Sequence, residues 1–165
     1  KSEMIDKIAK NPLMRAVRVD KMTLSALEAV LMLYIDEDKA KKEIPTLRML
    51  LQNPDAIKTR AKKIMVQLSK KIKAGLADIK VIADSSQSGG GALPEIEFKT
   101  FVVAIKPQKM SVNKLEERLR RGNLPIISRI KDNSIIIDAR TIGDHEIENL
   151  AEGLAKALGY EIEKS

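Results

Sequence analysis

Two arginines, Arg15 and Arg18, stand three residues apart in the stretch NPLMRAVRVDK at 11–21, each flanked by apolar residues. If this stretch is helical, a spacing of three places both guanidinium groups on one side. Two such groups repel each other unless an anion lies between them, and a planar guanidinium binds phosphate or carboxylate with two parallel hydrogen bonds. The pair therefore predicts an anion site. The alternative is that each arginine pairs with a nearby acid such as Asp20.

A second group of cations lies in the segment 54–74, where Asn53-Pro54-Asp55 predicts the start of a helix. Gly75 predicts its end. One predicted face is an apolar stripe, and the other carries basic residues without an acid among them. Such a face is usually solvated, but it could also follow a nucleic-acid backbone through contacts that do not read sequence. The stripe consists of Ile57, Ala61, Ile64, Leu68 and Ile72, and the basic face of Lys58, Arg60, Lys62, Lys63, Lys70, Lys71 and Lys73.

Three consecutive glycines, Gly89, Gly90 and Gly91, lie in the stretch SSQSGGGALP at 85–94. The run lacks the Gly-Lys-Ser/Thr ending and the Gly-x-Gly-x-x-Gly spacing of known phosphate loops. It is either a flexible connection between two strands or a backbone that closely approaches a ligand, because glycine permits such an approach.

Composition excludes several kinds of chemistry. The chain has no cysteine, so disulfides and thiolate metal sites are impossible, and its only histidine, His145, excludes sites that need two. No nucleophile with a base, metal-ligand set or cofactor loop is complete. Two Phe, two Tyr and no Trp disfavour base stacking. Residues 1–80 carry 18 basic against 10 acidic side chains and residues 81–165 carry 12 against 13, so the basic first half favours a polyanionic partner. The cluster Arg118, Arg120 and Arg121 is a weaker candidate for such a contact.

Hydrophobic periodicity predicts the remaining elements. Strands are expected over 79–83, 96–105, 126–131 and 134–139, with a tight turn at Asp132-Asn133. Ser111 is expected to cap a helix ending near Arg121, and Asp144 to cap the last helix. From residue 79 the order is strand, strand, helix, strand, strand, helix. This order predicts an α+β fold, in which a small and mostly antiparallel sheet has helices on one face.

Residues 23–35 predict a helix, capped by Thr23, that is apolar nearly all round. Such a helix needs a partner surface, either another domain or another subunit. We therefore divide the chain into interface helices over 1–45 and an α+β domain over 46–165. The longest apolar run is too short to cross a bilayer, and no secretory signal is evident, so a cytoplasmic protein without membrane contact is expected.

Four of these stretches resemble bacterial selenocysteine synthase, the L-seryl-tRNA(Sec) selenium transferase family. They occur in the family's order and cover nearly the whole chain. The first and third are specific to that family, whose members are fold-type-I pyridoxal phosphate enzymes. The chain is similar to the C-terminal part of such an enzyme. The stretches are NPLMRAVRVDKMTLSALEAVL, EIPTLRMLLQNP, SSQSGGGALP and NLPIISRIKDNSIIIDARTI.

The resemblance implies a reaction in which seryl-tRNA(Sec) becomes selenocysteinyl-tRNA(Sec), with selenophosphate as the selenium donor and pyridoxal 5'-phosphate as cofactor. It implies that the lysine holding the cofactor lies upstream of this chain, so that no catalytic residue is assigned here and the isolated piece is inactive. Arg15 and Arg18 match the family's arginine pair that holds the selenium donor. The resemblance also implies a ring of dimers, tRNA contact through Lys62, Lys63, Lys70 and Lys71, and a site wall at Gly89–Gly91.

Two other interpretations remain open. The chain could be a stand-alone basic module that binds RNA without catalysis, in which case the basic helix and not the arginine pair would dominate binding. It could also belong to a related pyridoxal phosphate enzyme that acts on a small amino acid or amino sugar.

Overall fold

The computed structural model describes residues 2–87 and 97–159. It divides into two compact units, Lys1–Arg48 and Met49–Ser165, which we call the first and second units. The second unit has the α+β architecture that the sequence predicts. That the first unit forms a junction with a further domain stays a prediction.

The first unit consists of short helices with little buried surface. Its helices are α1 (Ser2–Ala9), α2 (Leu13–Ala16), α3 (Lys21–Leu33) and α4 (Glu37–Glu43), and α5 (Pro45–Leu50) crosses the boundary to the second unit. No residue of α3 is buried, and Leu24, Leu27 and Leu31 are each more than half exposed. The apolar helix predicted from the sequence is therefore present, and its side chains lie at the surface.

The cap of α3 is Asp20, so the assignment of Thr23 as the cap was wrong. The Asp20 carboxylate accepts hydrogen bonds from the backbone nitrogen of Thr23 (3.0 Å) and from its Oγ1 (2.6 Å). An aspartate at this position satisfies a backbone donor of the first turn that no helical carbonyl can reach. The side-chain hydrogen bond from Thr23 lowers the pKa of Asp20.

A four-stranded antiparallel sheet forms the centre of the second unit. The strands are β1 (Ala77–Gln87), β2 (Glu97–Pro107), β3 (Arg129–Lys131) and β4 (Ser134–Asp138), in the order β1-β2-β4-β3. Asp132 and Asn133 both have positive φ, at 50° and 57°, and connect the paired residues Lys131 and Ser134. This is the two-residue turn predicted from the sequence, in the geometry that the twist of a hairpin favours.

Three helices pack on one face of this sheet: α6 (Pro54–Lys71), α7 (Val112–Arg120) and α8 (Ile147–Ala157). All five predicted stripe residues are buried, because a spacing of three or four keeps them on one side of the helix. Ser111 caps α7 as predicted, accepting from the backbone nitrogen of Lys114 at 3.3 Å. The core joins this stripe to Val103, Ile105, Ile135 and Ile137 of the sheet and to Leu115, Leu119, Ile147, Leu150 and Leu154.

Several predicted boundaries were wrong. Helix α6 ends at Lys71, three residues early, and Gly75 lies beyond it with φ of +81°. The third strand begins at Arg129 because the backbone nitrogen of Ile126 bonds to the Leu119 carbonyl of α7 (3.0 Å), which directs this segment away from the sheet. Asp144 does not cap α8. It begins a 3₁₀ turn, Asp144–Glu146, that precedes the helix.

The other face of the sheet carries an ionic contact between its two edges. Asp84 of β1 accepts from Nη2 of Arg129 (2.7 Å) and from Nζ of Lys131 (2.8 Å), both in β3. Neighbouring strands lie about 4.8 Å apart, so the edges of a flat four-stranded sheet would be about 14 Å apart. The contact therefore requires a sheet that curves toward this face. We call these three residues the ionic clasp.

Candidate functional site

The arginine pair lies at the end of α2 and just beyond it. Arg15 is in the last turn, Val17 is the C-cap and Arg18 follows outside any helix or strand. The premise that one helix carries both residues is therefore wrong. Both side chains are exposed. The turn that holds Arg15 begins at Asn11, whose Oδ1 accepts from the backbone nitrogen of Leu13 at 3.0 Å.

The nearby acid does not neutralise either arginine. The Asp20 carboxylate is engaged by Thr23, as described above. Neither Arg15 nor Arg18 forms an ion pair with any residue in the ranges 2–87 and 97–159. Of the two interpretations given by the sequence, local pairing with Asp20 is thus not what the structure shows.

Apolar side chains surround the two arginines at the surface. Leu13 and Val17 are 69% and 66% exposed, and Val19 is 51% exposed. A surface patch of large, exposed apolar side chains commonly marks a place that another domain or subunit covers. Two cations within such a surface can bind an anion strongly only when covering removes water, because water screens their charges.

The four lysines singled out on α6 fall into two pairs. Lys63 bonds to Asp144 (3.3 Å), and Lys71 bonds to Glu148 (2.6 Å) and Glu152 (3.2 Å) of α8. The hydrogen bond that Lys63 donates lowers the pKa of Asp144, and the bonds that Lys71 donates to Glu148 and then to Glu152 raise the pKa of Lys71. These two lysines thus connect α6 to α8 and to the turn before it.

Lys62 and Lys70 differ from that pair. Both are exposed, and neither has an acid partner in the part of the chain that the structure describes. Lys58, one turn before Lys62, lies with its Nζ 5.3 Å from the centre of the Phe101 ring. The basic face of α6 is therefore partly a packing surface and partly a set of charges open to a partner.

The remaining predicted positions add little chemistry. Gly89, Gly90 and Gly91 lie outside the described residues. His145 is exposed in the 3₁₀ turn before α8. Over residues 2–87 and 97–159, no group of three His, Asp or Glu residues is placed to hold a metal ion. Arg120 and Arg121 pair with Glu116 and Glu117 in the preceding turn of α7.

Sequence reasoning missed one buried cation, Arg140, which is only 6% exposed. Its guanidinium donates to the carbonyls of Met49 (2.7 Å), Leu50 (3.1 Å) and Lys99 (2.6 Å). Met49 and Leu50 are the last residues of α5, where free carbonyls need a donor. The acceptors lie 41 to 91 residues away in sequence, so no local sequence pattern could have predicted this role.

The Arg15 and Arg18 stretch, the α6 helix and the sheet all fall within one family match. Residues 1–143 match the family described as L-seryl-tRNA selenium transferase. The chain belongs to this family. The match confirms the resemblance drawn from the four sequence stretches.

Curated relatives of the same name agree with the family match. The chain is 42% identical over 157 residues to the L-seryl-tRNA(Sec) selenium transferase of Alkaliphilus oremlandii, covering 93% of this chain and 32% of the relative. It is 42% identical over 159 residues to that of Maridesulfovibrio salexigens, covering 96% and 34%. For Clostridium botulinum the identity is 40% over 158 residues, covering 96% and 34%. The chain thus spans about a third of the length of these transferases.

Within the described ranges, no helix combines the length and the apolar character needed to cross a bilayer.

Proposed function

We propose that this chain is the C-terminal part of a selenium transferase that converts seryl-tRNA(Sec) to selenocysteinyl-tRNA(Sec) in the cytoplasm, with selenophosphate as donor. Family membership and identities near 40% to transferases of that name support the reaction. The observation that carries the site is the arginine pair. Arg15 and Arg18 are exposed, have no acid partner among the described residues and lie within the matched region.

In this proposal, Arg15 and Arg18 bind the selenium donor. Selenophosphate is a small tetrahedral anion, and each guanidinium can bond two of its oxygens. Arg15 lies in the last turn of α2 and Arg18 lies just beyond the helix, so one short segment supplies both guanidinium groups. Their task is to hold and orient the donor, which removes much of the entropic barrier to a reaction between two bound molecules.

The covalent site of pyridoxal 5'-phosphate does not fit the residues described here. A lysine that holds this cofactor needs an enclosed pocket that lowers its pKa. The described lysines are exposed apart from Lys71, which is half-buried and whose pKa is raised by Glu148 and Glu152. We therefore propose that the cofactor belongs to the two thirds of the relatives' length that this chain does not span.

The first unit, in the same proposal, is a junction with that further part of the protein. Its exposed apolar side chains on α1, α2 and α3 form a surface that a domain or a second subunit would cover, as in a ring of dimers. Covering this surface would also remove water from Arg15 and Arg18. The site would then be complete only in the full-length assembly.

The two unpaired lysines of α6 are proposed as contacts to the tRNA. Lys62 and Lys70 can lie against phosphates without first breaking an ion pair, whereas Lys63 and Lys71 are already engaged. Phosphate contacts of this kind position a nucleic acid without reading its sequence.

Replacing both arginines in the full-length protein tests the proposal. Selenium transfer to seryl-tRNA(Sec) is measured for the double variant Arg15→Gln with Arg18→Gln. Losing two charge-assisted contacts to the donor is expected to lower kcat/KM for selenophosphate by more than about a hundredfold, at roughly 1.4 kcal/mol per factor of ten. Affinity for tRNA should not change.

A matched control carries the same charge loss elsewhere: Arg48→Gln with Arg120→Gln, both exposed positions. It should transfer selenium normally. Full activity of the Arg15 and Arg18 variant would refute the assignment of the donor site. Absence of selenium transfer by the unmodified full-length protein would refute the function itself.

A further inference from the structure

The outer side of the second unit has a cleft between α7, the loop that follows it and α8. Its volume is about 630 Å³, and its lining includes both charged helix residues and an apolar floor at Leu119 and Ile126. We propose that this cleft binds the phosphate backbone of the tRNA. The identity of the polyanion rests on the proposed function, while the existence of an anion site rests on the charges of the cleft.

Four cations and two acids line the cleft, and each acid has a basic partner, although Glu152 shares its partner with Glu148. Glu117 pairs with Arg121 at 3.1 Å, and Glu152 pairs with Lys71 of α6 at 3.2 Å. This leaves Lys114, Arg118 and Lys156 without an acid partner among the described residues. Cations gathered in a concave surface attract an anion more strongly than the same charges spread over a convex one, because low-dielectric walls focus the field.

Arg118 is held in position for such a ligand. Its Nη1 donates to the carbonyl of Ala157, the last residue of α8, at 3.0 Å. One arm of the guanidinium is thereby fixed between the two helices, and the remaining N–H groups stay available. A guanidinium that is ordered beforehand loses less conformational entropy when it binds phosphate.

The neutral residues of the cleft indicate which part of a nucleic acid it suits. Asn123 and Asn149 add amide groups that can bond to phosphate or ribose oxygens. The lining residues include no aromatic side chain on which a base could stack. The cleft is thus suited to the sugar-phosphate backbone rather than to unpaired bases.

Salt-dependent binding of uncharged tRNA(Sec) to the full-length protein tests this assignment. The variant Lys114→Gln with Lys156→Gln removes two charges from the cleft and leaves Arg118 in place. Each lost phosphate contact should reduce the slope of log affinity against log salt by about 0.9. We expect a slope lower by nearly two and an affinity lower by about tenfold or more at low salt.

The matched control is Lys106→Gln with Lys109→Gln, which removes the same charge from two exposed positions outside the cleft. Equal effects of the two double variants, or no tRNA binding by the unmodified protein, would overturn the proposal. So would a cleft variant that binds tRNA normally but loses binding to poly-glutamate, since that would identify an acidic protein partner. Selenium transfer is measured separately, so the assignment of the cleft can be refuted while the proposed function stands.

Discussion

Asp84 and Lys131 lie in the two edge strands of the sheet and yet form a hydrogen bond of 2.8 Å. Their side chains meet across the face opposite the helices. Val102 and Ile136, which the register places on that same face in the central strands, are 0% and 3% exposed. The clasp therefore holds a curvature that keeps apolar side chains of the second face out of water.

Removing the carboxylate charge of the clasp should destabilise the second unit. The side chain of Asp84 is only 8% exposed, and Asp84→Asn weakens both of its charge-assisted bonds. We expect the free energy of unfolding at neutral pH to fall by about 1–3 kcal/mol, measured by urea denaturation. The control, Asp78→Asn, alters an exposed pair with Lys80 and should cost under about 1 kcal/mol. Equal losses for both variants would show that the ionic clasp stabilises the fold no more than an exposed ion pair does.

The clasp also predicts an acid limit to stability. The hydrogen bond from Lys131 is the largest cause of a lowered pKa for Asp84 in the folded protein. The unfolded pKa is about 3.9, so the unfolded chain takes up the proton more readily. The stabilisation is thus complete above about pH 4 and lost as the pH falls through the folded pKa. As the pH is lowered from 5, the melting temperature should fall more steeply for the unmodified protein than for Asp84→Asn. Equal falls for the two proteins would contradict this prediction.

Arg140 should be the most sensitive cation of the second unit. Arg140→Met keeps the apolar stem but leaves the carbonyls of Met49, Leu50 and Lys99 without their donor. We expect a loss of more than about 2 kcal/mol in the free energy of unfolding, because buried acceptors without partners are costly. Arg120→Met, at an exposed position with a local ion pair, should cost under about 1 kcal/mol. A stable Arg140→Met variant would mean that water replaces the guanidinium.

The lysines of α6 should separate into structural and binding residues. Lys63→Gln with Lys71→Gln breaks contacts to Asp144, Glu148 and Glu152, and should lower the melting temperature with little effect on tRNA affinity. Lys62→Gln with Lys70→Gln should do the reverse, because neither residue has an acid partner among the described residues. The two double variants carry the same charge change and control for each other. If tRNA affinity falls equally in both, the ion pairs do not decide which lysines bind.

The turn between β3 and β4 allows a test of backbone conformation alone. Asn133 has φ of +57°, where a side chain with a β-carbon is strained unless it is Asn or Asp. Asn133→Ala should cost about 1–2 kcal/mol, and Asn133→Gly should be neutral or stabilising. Thermal unfolding distinguishes them. A destabilising glycine would mean that the side chain of Asn133 makes a contact that the conformation does not explain.

Periodicity was sufficient to predict the fold of the second unit. The stripe of α6, the cap at Ser111 and the Asp132-Asn133 turn depend on residues within one or two turns of each other, and all three are confirmed. The errors in the predicted boundaries arose where residues distant in sequence contact each other. The third strand is short because Ile126 bonds to Leu119, and Asp144 is not a cap because it bonds to Arg60 and Lys63 of α6.

The candidate site was harder to predict than the fold. Spacing alone drew attention to Arg15 and Arg18, but it assumed a helix that ends at Ala16. The buried role of Arg140 and the positions of Arg129 and Lys131 in the clasp depend on strands brought together by folding. Charge counts could identify cations in the sequence, but not which of them would be paired with acids 45 to 84 residues away.

The strand order β1-β2-β4-β3 also has a consequence for how the second unit assembles. The β1/β2 pairing begins with residues 10 positions apart, Gln87 and Glu97, and the β3/β4 pairing with Lys131 and Ser134. Every β2/β4 pair instead joins residues at least 30 positions apart, such as Ile105 and Ile135. Closing the shorter loops costs less entropy, so two separate hairpins should form early and dock later around α7. Only after that docking can Asp84 reach Lys131. The ionic clasp therefore reports on the last stage of folding, when the two halves of the sheet have become one.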